Sequence, residues 1–347
     1  MKISDFLKEK KLDDSFLVGY YGGGNFGDEL LLEVLLNLFK KNKAKSISVY
    51  YSNVEKHRLY HHDFGYRVVD AKNKMSVLGA IFKSKNIIIG GGGIWGLDFN
   101  ANIFMLSALL FVSRHLLFKK VYLLGVGYYD STTALGRFGA FLAAKASNII
   151  IARDKESYEN FKRFNKNVYL DRDLSFYVSS FGLNEYRQEG VKLGDKLKVR
   201  EKTIFIALRR FQDKYRNDYQ NVVAETIKNN PDKKMVLVLF EHKAVDPVGY
   251  DFLKYLSKKY GNLRILHFSY NPLAFLSFLS ANKEKLLMIA PQYHGQIVSY
   301  LSGVKFLPIV YDNKNTEFLK TINASDYCKI NDLSIKNVQD FINANIE

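Results

Sequence analysis

Cysteine is nearly absent: Cys328 is the only one in 347 residues. A single thiol excludes an intrachain disulfide and any metal site built from several cysteines, and it fits a reducing, cytoplasmic compartment. Long apolar runs are missing as well. The longest, Ile103 to Phe118, is interrupted by Arg114 and His115; it is too short to span a bilayer and reads as a buried helix. The opening MKISDFLKEKKLDDS lacks the apolar segment of a secretion signal. No run of six like charges, zinc-finger spacing or RNA-recognition signature occurs, so nucleic acid is not expected as a partner. Acids are the remaining deficit, with 35 Asp+Glu against 51 Lys+Arg and a formal charge of +16. Such a field attracts anions, phosphorylated substrates and acidic lipid headgroups among them, and it suits loose peripheral contact with an anionic membrane face.

What is present is a rhythm. Short runs rich in Val, Ile and Leu alternate with amphipathic stretches: FLVGYY, SISVYY, YRVVD, NIIIG, KVYLLGVG, NIIIA and NVYL up to residue 170. A second series follows, with TIFIAL, KMVLVLF, LRILHF, KLLMIA and VKFLPIV. Continuous apolar strands alternating with helices predict parallel sheets covered on both faces. The fold class is therefore α/β, with two tandem Rossmann-like domains: an N-terminal one over residues 1–178 and a C-terminal one over 201–347 with a terminal helix. Residues 179–200 are polar and lack a sustained strand, so they read as a linker, with room for a short helix. A ligand is expected in an interdomain cleft, at the C-terminal ends of the strands.

The stretch GYYGGGNFGDELLL carries a G-x-G-x-x-G pattern in Gly22, Gly24 and Gly27. A dinucleotide site also needs an acid at the end of the second strand, where Tyr51, Ser52 and Asn53 stand instead. Asp28 and Glu29 would moreover meet a pyrophosphate with two carboxylates. The alternative is that Gly23 and Gly24 clear space while Asn25, Asp28 and Glu29 bind sugar hydroxyls; the plainer one is that Asp28 caps a helix. Two further glycine loops end strands: IIIGGGGIWG, with Gly92, Gly93 and Trp95, and YLLGVGYYD, with Gly125, Gly127, Tyr128 and Tyr129. Glycines beside aromatics suggest an open crevice with stacking surfaces for sugars, against a simple reading as tight turns. The pair His61 and His62 lies in a loop without a third ligand at helical spacing; it reads as solvent-exposed, and no metal site is expected.

Taken in order, GYYGGGNFGDELLL, GGGGIWG, ARDKES (Ala152 to Ser157) and YHGQIVSYLSGVKFLPIVYDNK (Tyr293 to Lys314) resemble the polysaccharide pyruvyl transferase family, which is itself similar to glycosyltransferases of the B-type, two-Rossmann fold. The resemblance implies transfer of pyruvate from phosphoenolpyruvate onto two hydroxyls of a sugar, as a ketal. The acceptor would be a cell-surface polysaccharide or its lipid-linked precursor, and no cofactor is needed beyond the donor. It implies an acceptor-side N-terminal domain and a donor-side C-terminal one. It carries over Arg153, His294 and Lys314 as catalytic positions. These types suit the chemistry: Arg grips carboxylate and phosphate, and a histidine at a helix N-terminus can move protons beside a held anion. Asp28 or Glu29 could steady a developing oxocarbenium centre. The family has an arginine two residues before the histidine, and here Gln292 stands there. Arg209, Arg210 or Lys314 could restore the charge, with His242 and Asp246 near another strand end. Otherwise the donor differs or activity is lost. A nucleotide-sugar glycosyltransferase (Asp312 or Glu317 holding a ribose) and a non-catalytic glycan-binding relative are the competing readings.

Overall fold

A computed structural model describes residues 1–96, 100–129, 133–209, 213–242, 246–261 and 263–346; Arg210 lies outside these. The chain divides into two compact units, Met1–Gly23 with Asp28–Gly182 and Gly24–Gly27 with Leu183–Glu347.

The first unit contains α1 (Ile3–Glu9), β1 (Ser15–Val18), all but the first residues of α2 (Phe26–Lys41), β2 (Ser48–Tyr51), α3 (His57–Tyr60), β3 (Arg67–Asp70) and α4 (Lys74–Lys83). It continues through β4 (Asn86–Gly90), β5 (Gly93–Trp95), α5 (Ala101–His115), β6 (Lys120–Tyr128), α6 (Ala134–Ala146), β7 (Ile149–Ala152), α7 (Lys155–Lys162) and β8 (Val168–Leu170). Its sheet runs β3-β2-β1-β4-β6-β7-β8, with β5 added on β6, and every pairing is parallel. One face is packed by Ala80 and Ile81 of α4, Leu110 of α5, Ala140, Ala143 and Ala144 of α6, and Phe161 of α7.

The second unit runs through α8 (Arg187–Leu197), β9 (Thr203–Leu208), α9 (Asp213–Lys228), β10 (Lys234–Leu239), α10 (Pro247–Lys259), β11 (Leu263–His267) and α11 (Pro272–Ala281). It ends with β12 (Leu286–Ala290), α12 (Tyr293–Ser302), β13 (Lys305–Val310), α13 (Asn313–Thr321), β14 (Cys328–Lys329) and α14 (Ile335–Asn345). The sheet order is β11-β10-β9-β12-β13-β14, again parallel. Both sheets reverse direction of strand addition next to their first strand, between β1 and β4 and between β9 and β12. In such sheets ligands bind beyond the carboxyl ends of the strands at that switch.

The division refines the sequence-based one. The main break, after Gly182, falls inside the expected linker over 179–200, but residues 187–197 form a full helix that belongs to the second unit, and residues 24–27 count with that unit too. Gly190 and Gly194, one helical turn apart, give α8 a flat face against α11. A Cβ at Gly190 would come within 3.0 Å of Ala274 O and Phe278 N, so only glycine permits this approach. In a stretch read as a linker for its polarity, these glycines serve close helix packing.

Candidate functional site

In the first unit the glycine loop is fastened from below. Gly22 has a φ of +80°, and its N–H donates to Glu29 Oε1 at 2.8 Å. The other oxygen of Glu29 accepts from the Tyr51 hydroxyl at 2.9 Å and lies 2.8 Å from His61 Nε2. His61 Nδ1 lies 2.7 Å from Glu33 Oε2. The side chains of His61, Glu29 and Glu33 are all fully buried. Burial alone would lower the His61 pKa, but the bonds to two carboxylates overcome it and push it up to about 9, so the imidazole is charged at neutral pH. Two expectations are thereby corrected. His61 is not a solvent-exposed loop residue, because it neutralises two buried acids. Glu29 has no oxygen left for a sugar or an oxocarbenium centre. Asp28, one residue earlier, is half-buried and within the same unit, close to Gly92. It does not cap α2: Asn25 stands before the first helical residue and its Oδ1 accepts from Gly27 N at 2.8 Å.

Arg153, at the end of β7, forms a second centre. Its guanidinium lies 3.3 Å from Asp173, 3.5 Å from Asp154, and donates to the Tyr129 hydroxyl at 2.8 Å. Gly93 and Gly127 are its floor: a Cβ at either would come within 3.1 Å of Arg153 nitrogens. These glycines accommodate a protein side chain. The aromatic residues beside them do not form a stacking surface. Trp95 and Tyr128 are core residues packed on Phe161, and Trp95 Nε1 donates to Ser107 Oγ at 3.0 Å. Gly92, with φ +86°, and Gly96 keep their Cβ space clear of close contacts.

The second unit gathers most of the remaining candidates at the carboxyl ends of four strands. Arg209 follows β9, Glu241 and His242 follow β10, Gln292 and His294 follow β12, and Tyr311, Asp312 and Lys314 follow β13. His294 is the second residue of α12 and half-buried. A Cβ built on Gly27 would fall inside its imidazole, so Gly27 is the surface on which this ring rests. Residues 24–27 are held to β10 by backbone: Phe26 N donates to Phe240 O at 2.8 Å, His242 N donates to Gly24 O at 2.7 Å, and Asn25 pairs with Glu241. Phe26 anchors them in an aromatic cluster, 4.8 Å from Phe240, 5.5 Å from Phe268 and 5.7 Å from Phe275 between ring centres. Gly23, one residue before, is exposed and belongs to the first unit.

Tyr311 organises the cations. Arg209 lies 4.6 Å and Lys314 5.8 Å from its ring centre, and Lys314 Nζ is 3.1 Å from Asp312 Oδ2. Burial, and then Asp312 and Glu241 against the opposing pull of Arg209, keep the Tyr311 hydroxyl protonated well above its usual range. Gln292 is buried at the cap position of α12 and makes no side-chain cap bond. Its Oε1 has no hydrogen-bond partner among the described residues. Sequence reasoning missed Tyr311 and Asp173 and read Tyr129 as a stacking surface where it accepts from Arg153; the YDNK motif contained the first, and nothing short-range marks Asp173. Among the described residues no His, Cys, Asp and Glu group could hold a metal ion, and no helix is long and apolar enough to cross a membrane.

Comparison with known proteins agrees with this picture. A family model described as polysaccharide pyruvyl transferase matches residues 25–313, which takes in Arg153, Arg209, Gln292 and His294 and stops just short of Lys314. No curated protein sequence matches the chain. Among solved structures, UDP-GlcNAc 2-epimerase from Methanocaldococcus jannaschii superposes with a TM-score of 0.63 at 12% identity, covering 96% of this chain and 92% of that one. The Neisseria meningitidis UDP-GlcNAc 2-epimerase bound to UDP-GlcNAc gives 0.60 at 14% identity, covering 96% and 94%. Anabaena HepE in complex with UDP-glucose gives 0.59 at 13%, covering 96% and 89%. At such identities the likeness is one of fold: two Rossmann-like domains of the glycosyltransferase-B kind.

Proposed function

The chain belongs to the polysaccharide pyruvyl transferase family, and on that premise we propose that it transfers pyruvate from phosphoenolpyruvate, as a ketal, onto two hydroxyls of a sugar in a cell-surface polysaccharide or its lipid-linked precursor. What carries the reading is His294, opening α12 at the end of β12, in the same unit as Arg209 and Lys314 at the ends of neighbouring strands. The donor is an anion with a carboxylate and a phosphate. Fixed cations and a helix N-terminus are the groups that hold such a molecule.

In the reaction C3 of the donor gains a proton, and C2 becomes electrophilic. One sugar hydroxyl adds to C2 and inorganic phosphate leaves. The second hydroxyl then closes the ketal. Of the two protons released by the hydroxyls, one balances that gained by C3 and the other leaves with phosphate. His294 supplies and removes protons in this cycle. Arg209 and Lys314 bind the donor's charges, with Gln292 donating a hydrogen bond in place of a charge. Arg153, already paired with two aspartates, orders the ends of β6 and β7 on the acceptor side.

Calorimetric titration with phosphoenolpyruvate, beside a set of nucleotide sugars, tests this. Binding of phosphoenolpyruvate that weakens with salt and is lost in His294→Ala is the expected result. Binding of a nucleotide sugar with none of phosphoenolpyruvate refutes it in favour of a glycosyltransferase. Binding of glycan alone leaves a non-catalytic relative.

A further inference from the structure

The solvent side of α4, α5 and α6 is apolar. Nine of the eighteen exposed large hydrophobic residues among the described ones fall within residues 75–138. The five most exposed are all here: Met75 at 76%, Phe82 at 61%, Met105 at 68%, Leu116 at 69% and Phe118 at 82%. Their opposite sides already pack on the sheet, so these helices are apolar all round. In water such a helix is expected only when something covers its outer face. They form one surface. α5 and α6 lie against each other, and Lys119, after α5, donates to the carbonyls of Phe82 and Ser84 at the end of α4.

The charge on this surface is of one sign. α4, α5 and α6 contain no Asp or Glu. Between Ala71 and Arg153 the only acids are Asp98 and Asp130, although the whole chain has 35. Lys74, Lys83, Lys120, Arg137 and Lys145 are exposed around the apolar residues.

We propose that this face of the first unit docks on a bilayer carrying anionic headgroups, with Leu116, Phe118 and Met105 entering the interface and the lysines and arginines meeting lipid phosphates. Apolar residues flanked by cations match the layered chemistry of that surface, and long basic side chains reach headgroups while their stems lie on the acyl boundary. A second copy of the chain fits worse. A two-fold interface would press this basic rim onto itself. No helix among the described residues is long and apolar enough to span the bilayer. The docking is independent of which donor the enzyme uses, and a glycan on a lipid carrier would be met at this surface.

Co-sedimentation of the full chain with vesicles tests it, comparing phosphatidylcholine alone with phosphatidylcholine containing phosphatidylglycerol. Binding is expected on the anionic vesicles and should weaken with salt. Removing one cation with Lys120→Ala should loosen it about fivefold. Leu116→Glu with Phe118→Glu, both at solvent-exposed positions, should abolish it while leaving the melting temperature and phosphoenolpyruvate binding in solution as in the parent. Three outcomes overturn the proposal: no binding to anionic vesicles at low salt, binding unchanged in the double variant, or a dimer by light scattering that the double variant dissolves. None of them touches the reading of the donor, which the calorimetric titration decides separately.

Discussion

Replacing Gly27 by alanine sets two physical effects of opposite sign against each other. Gly27 is the second residue of α2, and helix propensity favours Ala over Gly by up to about 1 kcal/mol. Against this, the three atoms nearest to an added Cβ all belong to the His294 ring, and they overlap it. That ring is the start of α12, not the tip of a long flexible chain, so relief requires moving the imidazole or the helix. Overpacking of this kind costs about 1–3 kcal/mol, and full overlap puts it near the upper value. The net expectation is a loss of about 2 kcal/mol. For a domain the size of the second unit that is a fall of roughly 4–8 °C in Tm. A shift of the imidazole by about 1 Å should also cost on the order of 100-fold in turnover. Differential scanning calorimetry with a phosphate-release assay reads both. The control is the same substitution in a His294→Ala background. With the ring gone, Gly27→Ala should be neutral or stabilising. A Tm loss of equal size in both backgrounds would refute the idea that His294 rests on Gly27. So would a Gly27→Ala protein of full activity.

The His61 cluster makes stability depend on pH. Its folded pKa of about 9 lies above the ordinary 6.5, so its contribution is complete below pH 6.5 and is lost as pH rises through 9, on the order of a few kcal/mol. His57 acts on the acid side. Burial, then the neighbouring His61 charge, lower it to about 4, so stability also falls as pH drops from 6.5 towards 4. Urea midpoints across this range should trace a dome, and His61→Gln should flatten its alkaline limb; an unchanged limb would exclude a charged His61. Arg153→Met should cost about 3–5 kcal/mol in urea denaturation, because Asp173 would be left buried without a counter-charge; a loss under 1 kcal/mol would mean that the pair is dispensable. Gln292→Arg should lower the Tm of the free protein by burying a cation, and millimolar phosphoenolpyruvate should restore it; restoration by chloride alone would point to a non-specific anion site.

Strand and helix positions were legible from the sequence because both sheets are parallel and covered on two faces. Runs such as TIFIAL and the LLMIA of KLLMIA are fully buried strands, α10 begins at the Asp246–Pro247 cap, and α12 ends at Gly303. The main boundary after Gly182 lies within the linker read from the sequence, but the exchange of residues 24–27 was not legible. Residues 24–27 count with the second unit although they sit in the first strand–helix loop, and such an assignment depends on tertiary partners, here Phe240 and His242. The buried His61 was also invisible as a loop histidine. Its partners left a trace: Glu29, Glu33 and Asn37 recur every four residues, which draws a polar stripe along a helix that is buried on all sides. A polar stripe with no solvent to face demands counter-charges from elsewhere in the fold.

The motif glycines and the motif His294 and Arg153 side chains are two views of one construction. Glycine at the end of a strand was read as space left for a ligand. In the structure Gly27 carries the His294 ring, and Gly93 and Gly127 carry the Arg153 guanidinium. A residue with a side chain at any of these positions would displace a group that the family resemblance singles out. Spacing alone could not separate the two uses, because both require a missing Cβ. What separates them is whether a protein side chain already occupies the vacated volume. By that criterion Gly23, Gly92 and Gly96 are motif glycines whose vacated volume no protein side chain fills. At Gly23, whose φ is not positive, an added Cβ meets only Tyr20 O at 3.3 Å, so alanine should cost little stability and act mainly on acceptor binding. If Gly23→Ala instead unfolds the loop, measured as a loss of Tm without change in acceptor affinity, then the loop's glycines serve the fold throughout.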